Sequence, residues 1–188
     1  GGVTVSADKM NLAGSITASG QTVTLKNSVG ADAINLGSAT DAAGNTLELS
    51  DAELGRITAN LLVIGALSAG AITISSDINL TDAPAIPTLH LVTGSSVTGT
   101  NGGLIVTNLA ITAGGSVNII DADTDVDQLA IVSNGTTTFH DKDDLTIGTV
   151  DGVLGINSTG HDVNLQTNGQ LTLGTGAGED LIAAGATV

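Results

Sequence analysis

The most constraining feature of this sequence is a short unit in which two aliphatic residues are separated by one residue and flanked by Gly, Asn, Asp, Ser or Thr. This alternation places both aliphatic side chains on one face of a β-strand. Successive units lie roughly 16 to 25 residues apart, a spacing that is typical of repeat proteins. The units are Val3/Val5, Val23/Leu25, Leu47/Leu49, Ile72/Ile74, Leu89/Leu91, Leu109/Ile111, Leu129/Ile131, Leu145/Ile147, Val163/Leu165 and Leu181.

A second series of similar pairs falls between the members of the first. Each repeat is therefore predicted to carry at least two short strands, and stacked repeats would bury the apolar face that a single repeat leaves exposed. The pattern predicts an all-β fold, a right-handed parallel β-helix with roughly 20 residues per coil. We expect residues 1–188 to form one such segment of a longer repetitive protein. The second series is Met10/Leu12, Ile34/Leu36, Leu62/Ile64, Ile78/Leu80, Leu104/Val106, Val117/Ile119, Leu154/Ile156 and Leu171/Leu173.

The composition favours a thin aliphatic core. Hydrophobic residues make up 41% of the chain, yet only 1% is aromatic, and Phe139 is the single aromatic residue. A β-sandwich usually has longer strands and aromatic core anchors. A propeller blade is about twice as long as these repeats and carries aromatic motifs. The 3.6-residue apolar period of a helical repeat is absent from the sequence.

Two segments depart from the strand pattern. Ser50 and Glu53 fit a capping box, which predicts a single helical turn over residues 51–55. Asp82 to Pro87 is predicted to be a surface loop, because proline cannot donate a hydrogen bond to a strand ladder. Thr-rich stretches such as Thr136–Thr138 would suit ice binding only at regular spacing, and the variable repeat length favours stacked Thr and Asn ladders instead.

The charge of the chain excludes several classes of partner. The formal net charge is −15, and Lys9, Lys26, Arg56 and Lys142 are the only cations. Such a chain would be repelled by nucleic-acid phosphates and by anionic membrane surfaces. No apolar run is long enough to insert in a membrane as a helix. The absence of cysteine rules out disulfides and thiolate metal sites.

Several segments resemble the repeat region of filamentous-haemagglutinin-like proteins, the large exoproteins of two-partner secretion. The resemblance implies a β-helical shaft, export through an outer-membrane transporter, and an extracellular location at the surface of a Gram-negative cell. The segments that carry it are Ala33–Gly37, Leu47–Ile57, Leu89–Val97, Leu104–Gly114, Val117–Val126 and Val163–Leu173.

The expected function is that of a structural stalk segment in a bacterial surface adhesin, which mediates attachment or presents a distal binding region. The expected partners are the adjoining coils of the same chain and a host, surface or cell-envelope receptor. We predict no catalytic residues, no cofactor-binding residues and no enzyme activity. Two alternatives remain open, a carbohydrate- or calcium-binding module and a polysaccharide-degrading enzyme.

The acidic run Asp121, Asp123, Asp125 and Asp127 is the candidate metal site, and calcium is the candidate ion. Calcium takes six to eight oxygen ligands, which clustered carboxylates supply. The run departs from an EF-hand loop, because Val126 stands where that loop needs glycine. The competing interpretation is a solvated turn between the flanking strands.

Two further polar clusters are predicted to be surface turns. Asp141, Asp143 and Asp144 lie beside His140, but Lys142 neutralises part of their charge. The glycine-rich segment 174–180 lacks the lysine and the following helix of a phosphate-binding loop.

The sequence assigns no catalytic role to any of the three histidines. His90 lies between Leu89 and Leu91, so its side chain is predicted to point away from the core. His90, His140 and His161 are dispersed along the chain, and a catalytic triad would need Ser and Asp brought close to one of them, which the sequence does not show.

Overall fold

The computed structural model describes residues 1–82 and 84–183. Strands make up 51% of the described residues and helix 2%, which confirms the all-β prediction. Within the described residues all strand pairs are parallel except that of β15 with β16, and neither of the two large sheets closes into a barrel. The elements are β1 (Val3–Ser6), β2 (Ile16–Lys26), β3 (Ala33–Leu36), β4 (Thr46–Leu49), α1 (Asp51–Leu54), β5 (Ile57–Ala66), β6 (Ile72–Ile74), β7 (Ile78–Asn79), β8 (Thr88–Thr93), β9 (Val97–Gly99), β10 (Leu104–Ala113), β11 (Val117–Ile119), β12 (Asp125–Ser133), β13 (Thr137–Asp141), β14 (Leu145–Ile147), β15 (Thr149–Val150), β16 (Val153–Leu154), β17 (Ile156–Asn157), β18 (Val163–Thr167), β19 (Leu171–Leu173) and β20 (Leu181–Ile182).

Most strands belong to two parallel sheets. The first sheet follows the order β1-β2-β5-β8-β10-β12-β14-β19, with β7, β17 and β20 paired at its side. The second follows the order β18-β13-β11-β9-β6-β3-β4. Leu89, Leu109 and Leu129 align with one another on successive strands of the first sheet. Val97 and Val117 align in the second sheet with the same spacing in sequence. In this part of the chain the backbone therefore alternates between the sheets and advances by one strand in each at every repeat.

The core lies between the two sheets and consists of aligned aliphatic side chains. Leu109 and Leu129 of the first sheet and Val117 of the second are fully buried, and one hydrophobic cluster contains them all. Phe139 is also fully buried and aligns with Ile119 on the preceding strand of the second sheet. Because neighbouring parallel strands lie only about 4.8 Å apart, aliphatic side chains stack directly upon their equivalents in the next repeat.

The outward face of the second sheet carries a polar row. Its members alternate with the buried residues, so the inner and outer faces of each strand differ as period-two patterning requires. This arrangement agrees with the stacked Thr and Asn ladders expected from the sequence. The aligned residues are Asn35, Thr73, Thr98, Asn118, Thr138 and Asn164.

The N-terminal third interrupts the regular repeat. After β3 the chain forms β4, which pairs with β3 on the side opposite to β6, and then the helical turn α1. The predicted helical turn and its capping box at Ser50 and Glu53 are confirmed. Because of this excursion, the residue that aligns with Val23 on the next strand of the first sheet is Leu62, nearly two repeat lengths later.

Because of this excursion, the two series of aliphatic pairs identified in the sequence do not correspond to the two sheets. Leu47/Leu49 and Ile72/Ile74 lie in the second sheet, whereas Leu62/Ile64 lies in the first. Met10 is buried, but Met10/Leu12 is not a strand, because residues 7–15 form the connection between β1 and β2. Alternation shows which side chains share a face, and it does not show which sheet the face belongs to.

A short antiparallel hairpin packs on the outward face of the first sheet. Its turn residues Asp151 and Gly152 have φ angles of 46° and 78°, as a two-residue hairpin turn requires. Val150 and Val153 pack against Ala110 and Ala130, which point outward from β10 and β12 and are nevertheless fully buried. The predicted pair Leu154/Ile156 is therefore divided between this hairpin and β17, and Leu154 is 48% exposed. The signal for the hairpin was the Asp-Gly dipeptide between two valines.

Candidate functional site

The four aspartates of the predicted metal site separate into two environments. Asp121 and Asp123 lie in the turn after β11, where Asp77 from an earlier repeat joins them. One carboxylate oxygen from each of these three residues lies within 4.8 Å of the others. Asp125 and Asp127 lie instead on strand β12. Sequence reasoning missed Asp77, because only the stacking of repeats brings it to this turn.

The carboxylates of this turn already accept hydrogen bonds from the backbone. The Gly103 N–H donates to Asp77 Oδ1 over 2.8 Å, and the Asp123 N–H donates to Asp121 Oδ1 over 3.0 Å. Asp77 and Asp123 are exposed, and Asp121 is half-buried. The converging oxygens, one from each residue, number three, whereas calcium takes six to eight oxygen ligands. The arrangement can attract a cation electrostatically, and it does not enclose one.

One buried side-chain oxygen next to this turn has no hydrogen-bond partner among the described residues. Thr124 is fully buried, and its Oγ1 has no hydrogen-bond partner within the described residues. Thr124 directly precedes β12. Its side chain is buried, whereas those of Asp77 and Asp123 are exposed.

Asp125 interacts with the turn of the following repeat. Its Oδ2 lies 3.9 Å from Lys142 Nζ. Partial burial raises the pKa of Asp125, the negative charge of Asp143 adds to the increase, and the charge of Lys142 opposes it. This pair and the Asp121 turn are thus two separate acidic groups on adjacent repeats.

Asp141 is buried, which corrects the prediction that this acidic turn lies wholly on the surface. Its side chain accepts hydrogen bonds from the Val126 N–H over 2.9 Å and the Asp143 N–H over 3.1 Å. Burial raises the pKa of Asp141 to about 6, against the opposing effect of these two hydrogen bonds. Lys142, Asp143 and Asp144 are exposed as predicted.

The reason for this burial is a change in repeat length. Thr137 aligns with Val117 at the regular offset, but Ile147 aligns with Leu129 at an offset that is shorter by two positions. The shorter turn delays the pairing of β14 with β12 until Gln128. The Asp141 carboxylate takes the place of the missing strand as the acceptor for Val126.

Two glutamates near the N-terminal excursion also accept hydrogen bonds from backbone N–H groups. Glu53 accepts hydrogen bonds from the Ser50 N–H over 2.9 Å and from the Leu12 N–H over 3.0 Å. Burial would raise the pKa of Glu53, but these bonds and the charge of Arg56 outweigh it and lower the pKa. Glu48 accepts bonds from the Ser38 hydroxyl and the Ala43 N–H, which lower its pKa in that order of size.

His90 joins a hydroxyl and a carboxylate in one line of contacts. Its Nδ1 lies 2.6 Å from Asp151 Oδ2, and its Nε2 lies 3.0 Å from Thr112 Oγ1. His90 and Thr112 point outward from β8 and β10, and Asp151 lies at the tip of the hairpin that covers this face. The outward direction of His90 was predicted, but its partners were not, because Asp151 is 61 residues away along the chain.

The other histidines do not join this group. His140 lies on β13 in the second sheet, and His161 is exposed in the turn before β18. Among the described residues, no cluster of potential metal ligands contains a histidine. The predicted turn over residues 174–180 contains no strand or helix.

The comparisons with known proteins assign no relative. No family model, curated protein or solved structure matches this chain. The surface formed by residues 1–82 and 84–183 has no pocket. In the same residues no helix has the length and apolar character needed to cross a membrane.

Proposed function

We propose that this chain is a right-handed parallel β-helix that serves as a structural stalk segment of a large secreted bacterial surface adhesin. The observation that carries the proposal is the constant sequence offset that both sheets share in the middle of the chain, where Leu109 aligns with Leu89 and Val117 with Val97. A chain that returns to the same two sheets and advances one strand at each repeat builds a rod in which every repeat contacts only its neighbours.

The surface of the molecule favours support over recognition. Aliphatic side chains fill the interior, and Thr and Asn side chains form a continuous row outside. The net charge of −15 keeps a strand-rich rod soluble and separate from its copies. The partners of the segment would be adjoining coils, and a distal region would bind the receptor. Secretion by the two-partner route and display on a Gram-negative surface are part of the proposal through the resemblance to filamentous-haemagglutinin-like repeats.

Excision of one repeat tests the architecture. Removal of residues 115–134 joins Gly114 to Gly135, which occupies the position of Gly115 one repeat later. This deletion of one whole repeat should leave a folded rod that is shorter by about 4.8 Å, measurable by small-angle X-ray scattering. Removal of residues 115–133 is the control, because a shift of one residue turns inward side chains outward. If both deletions melt alike, the proposed architecture is wrong.

The same two deletions test the stalk function in the full-length protein. Excision of residues 115–134 should leave surface display and cell attachment unchanged, since the distal region is still presented. Excision of residues 115–133 should reduce display, measured by antibody labelling of intact cells. Loss of attachment by the 115–134 deletion at normal display would show that the repeat itself binds. That outcome would favour a carbohydrate- or calcium-binding module.

A further inference from the structure

We propose that Thr112 is a nucleophilic acyl-acceptor site, with His90 as its general base and Asp151 as the residue that positions the imidazole. The basis is the pair of contacts that join Thr112 Oγ1 to His90 Nε2 over 3.0 Å and His90 Nδ1 to Asp151 Oδ2 over 2.6 Å. A hydroxyl beside a base that is itself oriented by a third group is the arrangement that activates weak nucleophiles. This reactivity is additional to the stalk function.

The two contacts of His90 suit proton transfer from Thr112 to the imidazole. An ionised Asp151 can only accept, so Nδ1 of His90 carries the proton of that contact. In the neutral imidazole, Nε2 is then the acceptor, and the Thr112 hydroxyl donates to it. The tautomer with its proton on Nδ1 is the one that a general base needs for removal of the Thr112 proton.

The hairpin brings Asp151 to His90. His90 aligns with Ala110 and Ala130, and these two alanines are the surface on which the hairpin packs. The side chain of His90 is only 13% exposed and that of Asp151 32% exposed. The imidazole is therefore largely covered, while the Asp151 carboxylate remains in contact with solvent.

The surroundings of Thr112 indicate the class of acyl group. Val92 and Val132 flank Thr112 on the neighbouring strands, and Val132 is 38% exposed. An apolar acyl group could lie along these two side chains while its carbonyl carbon meets Thr112 Oγ1. Since the described surface has no pocket, we expect small activated esters to react and the acyl group to remain on Thr112 without turnover.

The step balances as an acyl transfer. Thr112 Oγ1 forms a bond to the ester carbonyl carbon while its proton passes to His90 Nε2. The bond between that carbon and the ester oxygen then breaks, and the proton on Nε2 passes to the leaving oxygen. The products are the Thr112 ester and the free alcohol or phenol, and His90 returns to its neutral form.

The experiment uses p-nitrophenyl acetate and the intact chain, with peptide mass spectrometry to locate the acetyl group. We expect one acetyl group on the peptide that contains Thr112, at a rate that exceeds that of Thr98. Thr98 is a half-buried, outward threonine of the second sheet and serves as the internal control. Thr112→Val should abolish this adduct and should fold, since valines flank the position on both sides.

Two variants separate chemistry from folding. His90→Asn removes the base, and the acetylation rate at Thr112 should fall about 100-fold or more. Asp151→Asn keeps a residue that suits the hairpin turn, so the melting temperature should stay constant while the rate falls at least about 10-fold. Acetylation of Thr112 at the rate of Thr98, or an unchanged rate in His90→Asn, would overturn the proposal. Loss of the reaction in Thr112→Val with the rod intact leaves the stalk proposal unaffected.

Discussion

Backbone hydrogen bonding differs between two regions of the molecule, the regular repeats from Leu89 to Ile131 and the shortened repeat that follows them. In the regular region, strands of equal offset pair with one another, and apolar side chains stack above apolar side chains. Where the offset shortens, the Val126 N–H bonds to the carboxylate of Asp141 instead of to a strand. A buried N–H without an acceptor costs as much as a lost hydrogen bond. A change of repeat length is therefore tolerated where an acidic side chain replaces the missing carbonyl.

The excursion at β4 and α1 also provides a buried carboxylate as acceptor for backbone N–H groups, but there the pKa of the carboxyl group is shifted in the opposite direction. Glu53 has donors from Ser50 and Leu12 and the nearby positive charge of Arg56, so its pKa is lowered. Asp141 has two backbone donors but lies near the negative charges of Asp143 and Asp125, and burial dominates. Both buried carboxylates accept backbone hydrogen bonds, but their contributions to the stability of the fold change with pH in opposite directions.

The largest expected effect comes from the regular region. Leu129→Asp would bury a carboxylate without a partner in a stack that is fully buried, and it should cost several kcal/mol, about 4 or more. Gln128→Asp, at the adjacent outward position, should cost about 1 kcal/mol or less. Denaturant melting of both variants measures the difference, and equal destabilisation would show that the register is wrong. Hydrogen exchange should show the damage first near Leu129, because each repeat contacts only its neighbours.

The next effect concerns Glu53. The Glu53 carboxylate accepts hydrogen bonds from two backbone N–H groups, and Glu53→Gln would place an amide N–H₂ opposite one of these donors. The substitution should lower the free energy of unfolding by about 2 to 3 kcal/mol at pH 7. The pKa of Glu53 is lowered in the folded protein. Its contribution to the free energy of unfolding is therefore present at pH values above its ordinary pKa, and it is lost as the pH falls through the pKa of the folded state. The difference between wild type and variant in urea melts should therefore shrink between pH 5.5 and pH 3.5. A constant difference would mean that the carboxylate charge contributes nothing.

A smaller effect of the opposite sign is expected at Asp141. The pKa of Asp141 is raised to about 6 in the folded protein. Its contribution to the free energy of unfolding is therefore greatest at pH values below its ordinary pKa, and it is lost as the pH rises through the pKa of the folded state. Asp141→Asn keeps an acceptor for Val126 and carries no charge. Its stability relative to wild type should rise by about 1 to 2 kcal/mol between pH 5 and pH 7.5. Asp127→Asn, at an exposed position of β12, is the control; a similar trend there would contradict a local origin.

The smallest expected effect is that of calcium. Asp77, Asp121 and Asp123 supply three carboxylates at an open turn, so binding should be weak. Addition of 1 mM calcium should stabilise the chain by less than about 0.4 kcal/mol, the value for a dissociation constant near that concentration. A shift several times larger in thermal melts, lost in Asp121→Asn, would revive the calcium-binding alternative.

The sequence by itself determined the local features of this protein. Alternation at Leu89/Leu91 and Leu109/Ile111 predicted strands with buried faces, because period two is a property of the strand alone. The capping box at Ser50 and Glu53 predicted the helical turn, since its donors and acceptors lie close together in the chain. Such signals can be read without knowledge of the fold.

Tertiary structure alone decided which distant residues meet. The length of each excursion, not the alternation, places Leu47/Leu49 in the second sheet and Leu62/Ile64 in the first. The shortened repeat before Ile147 buries Asp141, and the hairpin brings Asp151 to His90. Such contacts depend on the sum of all turn lengths between two positions. A single altered turn changes the offset between the strands on either side of it, which no local pattern encodes.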